Sequence, residues 1–133
     1  MKIDGRCHCG FITYEAEIDP QQVVICHCTD CQILSGSAFR TDALVERNKF
    51  KFLSGRPKTY IKTAESGNKR TQKFCPKCGT SICSSGATGK PPIYVRVASA
   101  RHRDELPPKV QYWSRSAQHW LADMGSLTKI EKQ

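Results

Sequence analysis

The sequence predicts a mainly β fold cross-linked by bound metal, and three observations point there. No segment carries the pattern of a long amphipathic helix. Short alternating apolar stretches recur between turn residues along the whole chain, the signature of many short strands. Eight cysteines in 133 residues supplement an apolar fraction of only 38%, as expected where cross-links add to a thin core. No linker divides the chain, so a single domain over residues 1–133 is expected.

Taken in order, Phe11 to Ile18 places Ile12, Tyr14, Ala16 and Ile18 on one side of a half-buried strand, which Asp19-Pro20 ends. Val23-Val24-Ile25 reads as a short strand. Thr29 to Ser35 has room for a turn or two of helix before Gly36. Ala38 to Val45 and Phe50 to Leu53 read as strands separated by the polar Glu46-Arg47-Asn48-Lys49. Ser54-Gly55-Arg56-Pro57 is a turn. Thr59 to Thr63 and Lys69 to Phe74 form a hairpin about Glu65-Ser66-Gly67-Asn68. Thr80 to Ser84, Ile93 to Val97 and Val110 to Trp113 supply further strands, with a helical turn near Ala117 to Leu121.

Residues 1 to 6 lack the apolar core of a signal peptide, and no run of about 18 apolar residues could span a membrane. A cytoplasmic protein that keeps its thiols reduced is expected, which favours metal over disulfides. The 21 Lys and Arg against 12 Asp and Glu give +9; two zinc–thiolate sites would lower that to about +6. The surplus favours an anionic partner, either a small acid or nucleic acid.

Cys75-Pro76-Lys77-Cys78-Gly79 is a zinc knuckle, two thiolates about a tight turn. Cys7 and Cys9, two apart in an extended segment, point the same way and complete a four-thiolate site with Cys75 and Cys78. Cys26, Cys28 and Cys31 form a compact set of three. Three protein donors are the pattern of a catalytic zinc, four of a structural one. Alternation aims His8 and His27 away from the metals. Cys83 could complete the second set or be a buried thiol in a strand. A redox reading of Cys28-Thr29-Asp30-Cys31 lacks the βαβ context that such motifs need.

Cys7-His8-Cys9-Gly10, Cys26-His27-Cys28-x-x-Cys31, Ser35-Gly36-Ser37-Ala38-Phe39, and Ser66-Gly67 leading to Phe74-Cys75-x-x-Cys78-Gly79-Thr80 together resemble the glutathione-dependent formaldehyde-activating enzyme family, whose eukaryotic relatives include centromere protein V. The likeness spans residues 5 to 80 and is looser beyond. It implies a Mss4-like (β-tent) fold and the same division of the cysteines. It also implies a carbon–sulfur lyase reaction in which glutathione, as co-substrate, adds to formaldehyde, giving S-(hydroxymethyl)glutathione. The partners implied are a small anionic thiol and an aldehyde. Ser35 and Ser37 could contact the thiol substrate's carboxylate or simply form a turn, and Arg40 could pair with a carboxylate or sit on a solvated face. Asp30 could orient a ligand or cap the turn, the commoner use. Basic residues such as Lys49, Lys51, Arg56 and Lys58 show no interleaved aromatic platform, which speaks against a nucleic-acid surface.

Overall fold

The computed structural model describes residues 1–133. Ten strands and one short α-helix follow in the order β1 (Lys2–Arg6), β2 (Thr13–Glu17), β3 (Val23–Cys26), α1 (Thr29–Ser35), β4 (Arg40–Val45), β5 (Phe50–Ser54), β6 (Lys58–Thr63), β7 (Lys69–Phe74), β8 (Ser81–Gly86), β9 (Ile93–Arg96) and β10 (Val110–Tyr112), with six 3-10 turns between and after them. The fold is mainly β, as the turn spacing predicts. The strand β1 has no counterpart in the sequence reading, because Ile3 is its only large apolar residue and Gly5 sits inside it.

The strands form two sheets. One has the order β1-β2-β5, the other β10-β3-β4-β9-β8-β7-β6. All pairings are antiparallel except β10 with β3. The core lies between the sheets. Ile3, Ile12, Tyr14 and Ala16 come from the smaller sheet's side, and Val23, Ala43, Val45, Cys83 and Val95 from the larger. Tyr14 Oη shares a 2.9 Å hydrogen bond with Ser99 Oγ, so its buried hydroxyl is partnered.

Residues alternate across the larger sheet, so the face turned from the core carries a different set. The register aligns Cys26 with Arg40, and Val24 with Asp42 and Arg96. Ser84 lies between Tyr94 and Gln72. Charged and polar side chains therefore line one face of the sheet, while its other face buries apolar residues of β3, β4 and β9. At one end of this polar face, β3 leads straight into α1, whose exit is closed by Gly36 donating to Gln32 and Ile33 carbonyls.

Candidate metal centres and the cleft between them and the sheet

Cys7 and Cys9 stand just after β1, Cys75 and Cys78 in the turn between β7 and β8. Their four sulfurs lie within 4.8 Å of one another. Cys7 Sγ is 3.6 Å from Cys9 Sγ, and Cys9 Sγ is 3.8 Å from Cys75 Sγ. A tetrahedral ion with Zn–S bonds of about 2.3 Å separates its ligands by about 3.8 Å, so the donor set fits. Cys7 and Cys9 converge through a turn and not through strand alternation, which corrects the extended geometry expected for them. Gly10 at φ +83° and Gly79 at φ +78° give the two segments matching knuckles, with Gly10 N–H donating to Cys7 O and Gly79 N–H to Cys75 O. The Thr80 hydroxyl, 3.2 Å from Cys78 Sγ, and the Thr80 N–H hold that thiol down at about 5.

Cys26 ends β3, Cys28 caps α1 and Cys31 lies in its first turn. Their three sulfurs also fall within 4.8 Å of one another. Here alternation does operate: Cys26 and Cys28 face one way and His27 the other, where it is buried with Nε2 2.7 Å from Gln111 Oε1. Neither cysteine group includes a histidine. Cys28 Sγ accepts the Cys31 N–H at 3.3 Å, taking the capping place considered for Asp30; Asp30 instead pairs with Lys62 at 2.9 Å. A hydrogen bond from Cys31 draws Cys26 below the ordinary thiol range, and the same contact pushes Cys31 up. Both groups of cysteines could hold a metal ion, which would take all of these thiols as thiolates.

Cys83 belongs to neither group. It is 2% exposed within the core, on the far side of the larger sheet, and burial pushes its thiol up to about 11.

The three-cysteine group opens into a cleft of 640 Å³ floored by the polar face of the larger sheet. Five cations, Arg40, Lys62, Arg70, Arg96 and Arg115, line it against three carboxylates, those of Asp30, Asp42 and Glu65. Asp42 is taken by Arg96 at 2.5 Å and Asp30 by Lys62. Arg70 lies 5.1 Å over the Tyr94 ring and Arg115 4.9 Å over the Trp113 ring, and neither has a carboxylate partner. Cation–π stacking fixes their direction without neutralising them. Arg40 is buried, and that burial, with Arg96 nearby, lowers its pKa.

Sequence reasoning missed Gln32. Its Nε2 donates to His27 O at 2.8 Å and Ser116 O at 3.0 Å, and its Oε1 accepts from Gln118. This one side chain fastens the C-terminal turn carrying Trp113 and Arg115 to the segment carrying the three cysteines. Trp113 has φ +56°, strained for a non-glycine residue. Ser35 and Ser37 lie outside the cleft, on a separate groove near Leu34 and Phe39; Ser35 Oγ donates to Gln32 O and accepts from Ser37 N–H. They close the helix end.

Fold and site together define a β-sheet protein with a four-cysteine clamp and a three-cysteine group facing a basic cleft. The family model described as glutathione-dependent formaldehyde-activating enzyme matches residues 2–116, and the chain belongs to that family. The family's Mss4-like (β-tent) fold agrees with the two sheets seen here. A crystal structure of a Rhodobacter sphaeroides protein, a structural-genomics target, aligns with a TM-score of 0.64 at 19% identity, over 81% of this chain and 98% of that one. At that identity the likeness speaks for the fold alone. A search of curated proteins finds no match. No helix is long and apolar enough to cross a membrane.

Proposed function

We propose that the protein is a carbon–sulfur lyase that forms or cleaves the adduct of a small anionic thiol, glutathione or a close relative, with formaldehyde or a related aldehyde. The observation that carries this reading is the pairing of a three-cysteine group with a cation-rich cleft, while the eighth cysteine is buried elsewhere. Cys7, Cys9, Cys75 and Cys78 would hold a structural zinc, and Cys26, Cys28 and Cys31 a second zinc. Held by these thiolates, zinc would supply Lewis acidity, lowering the pKa of a bound thiol or polarising a carbonyl oxygen.

The chain's own residues do the rest. Arg70 and Arg115, directed by Tyr94 and Trp113, receive a carboxylate of the thiol and orient its sulfur toward the three cysteines. That role falls to them and not to Ser35 and Ser37, which line another groove. In the addition, the C–S bond forms as the carbonyl π pair moves to oxygen. The oxygen gains a proton, the sulfur has lost one, and nothing is oxidised or reduced. Both proton exchanges can occur through solvent in a cleft this open.

Exchange spectroscopy of glutathione with formaldehyde tests the reading. Zinc-loaded wild type should accelerate adduct formation and breakdown, and Cys28→Ser, folded by circular dichroism, should leave the rate at its uncatalysed value. Equal rates for the two proteins would reject it.

A further inference from the structure

Beneath the cleft, four buried side chains from three strands form one polar network. Arg40 on β4 is 6% exposed, Asp42 on β4 6%, Gln72 on β7 6% and Arg96 on β9 4%. Gln72 Oε1 accepts twice, from Arg40 Nη1 at 3.0 Å and from Arg96 Nη2 at 2.8 Å. Arg96 Nη1 also donates to Asp42 Oδ1, and its Nε to Ser81 Oγ at 3.2 Å. Each of the three guanidinium nitrogens of Arg96 thus has a partner. Arg40 has only the shared amide oxygen, and its Nε is buried with no partner.

The charge does not balance: two guanidiniums share one carboxylate. Burying an unpaired cation is costly, and a network serving only to bolt strands together would do as well with an apolar residue at position 40. Metal-bound thiolates would lie beside this charge, since Cys26 is the cross-strand neighbour of Arg40 on the same face. A zinc with three thiolates carries a single negative charge, which cancels the network's own but gives Arg40 Nε no hydrogen-bond partner and leaves Arg70 and Arg115 facing Glu65 alone in the cleft; Asp30, the carboxylate beside those thiols, is spent on Lys62. Arg40 lines the same cleft as the three cysteines.

We infer that Arg40 is the anion-binding residue at the floor of this cleft, and that its occupant is a substrate oxygen anion. Resting on the lyase reading above, this leaves two sources for one chemistry: a carboxylate of the thiol, or the alkoxide that develops as sulfur adds to the aldehyde. Gln72 is the positioning residue that holds Arg40 without neutralising it.

The test uses full-length, zinc-loaded protein, with S-methylglutathione as an unreactive probe titrated calorimetrically and adduct kinetics measured alongside. If the anion is a carboxylate, Arg40→Gln weakens the probe at least about tenfold, and Arg40→Lys recovers part of the loss. If it is the alkoxide, probe affinity stays within about twofold while kcat falls about 10- to 100-fold. Gln72→Glu gives an independent arm if Arg40→Gln does not fold. It inserts the missing carboxylate between the guanidiniums, so it should fold at least as stably yet weaken the same readout as Arg40→Gln. A merely structural role would leave binding and kcat unmoved in Gln72→Glu.

The inference is overturned if folded, zinc-replete variants match wild type within about twofold in both readouts, or if their losses simply track lost zinc. Wild type that binds the probe through Arg40 but does not turn over would reject the lyase reading and leave the anion site standing. Turnover with both probe affinity and kcat indifferent to Arg40 would do the reverse, and wild type that neither binds nor turns over would sink both.

Discussion

Cys83→Ala separates a buried core thiol from a hidden metal ligand. Cys83 is 2% exposed, faces Val95 and Lys73 across its two neighbouring strands, and packs among the core side chains. Truncating it removes one buried sulfur, a loss of about 1–2 kcal/mol by analogy with other small core deletions. Unfolding entropy scales with length, and for a chain of 133 residues that loss corresponds to a fall of about 4–7 °C in Tm. Metal binding should be untouched, because the Cys83 sulfur belongs to neither cysteine group. The assay is calorimetry together with zinc stoichiometry after dialysis against a weak competing chelator. Retention of both ions with this modest fall supports the three-donor reading of Cys26, Cys28 and Cys31. Loss of one zinc per chain on Cys83→Ala would refute it.

The two cysteine groups should differ in what their loss does to the fold. Cys78→Ser opens a clamp joining segments 66 residues apart; structural zinc contributes about 10–16 kcal/mol, as much as a whole domain's stability. We expect it to abolish cooperative unfolding by circular dichroism, whereas Cys31→Ser stays folded with one zinc fewer. Alkaline pH should destabilise the protein. Burial raises Cys83 from 9.0 to about 11 and Tyr14 from 10.0 to about 12. Both groups therefore add stability fully present below their unfolded values and lost as pH rises through the folded ones, each by about 2–3 kcal/mol. Urea midpoints should fall between about pH 9 and 12, and Cys83→Ala should remove the lower part of that fall. Gly5→Ala would place a methyl 2.3 Å from Tyr14 Cζ and Oη and 2.6 Å from Ser99 O. Such overpacking should cost about 1–3 kcal/mol in urea denaturation.

Local signals were the legible ones. The helix Thr29–Ser35 has the bounds its turn residues mark out, and the strand face of Ile12, Tyr14, Ala16 and Ile18 is buried as its alternation requires. The pairs Cys7/Cys9 and Cys75/Cys78 and the triple Cys26, Cys28 and Cys31 follow from spacing, because ligands two or three apart converge whatever the surrounding fold, but the meeting of the two pairs across 66 residues is the fold's own. Cys7 and Cys9 show the limit of that logic: the spacing brings them together, but a knuckle and not a strand does it. The strand β1 is invisible because its pairing with β2, and not its own composition, makes it a strand. Arg40, Gln72 and Arg96 meet only through the register of β4, β9, β8 and β7, which no local pattern encodes. A faint signal did exist in β4, where Arg40 and Asp42 alternate with the buried Ala43 and Val45. Ser35 and Ser37 look close to the cysteines in sequence, but α1 carries them past the cleft to its other end.

The central claim is that the two cysteine groups are unequal, one a closed clamp and the other able to take a substrate sulfur. Cobalt(II) substitution tests it directly, since thiolate coordination is visible in the charge-transfer and ligand-field bands. With two cobalt ions per chain, added glutathione should change the spectrum of one ion only, and Cys31→Ser should remove that response while leaving the other ion's bands intact. A spectrum indifferent to glutathione, or one in which both ions respond, would contradict the account.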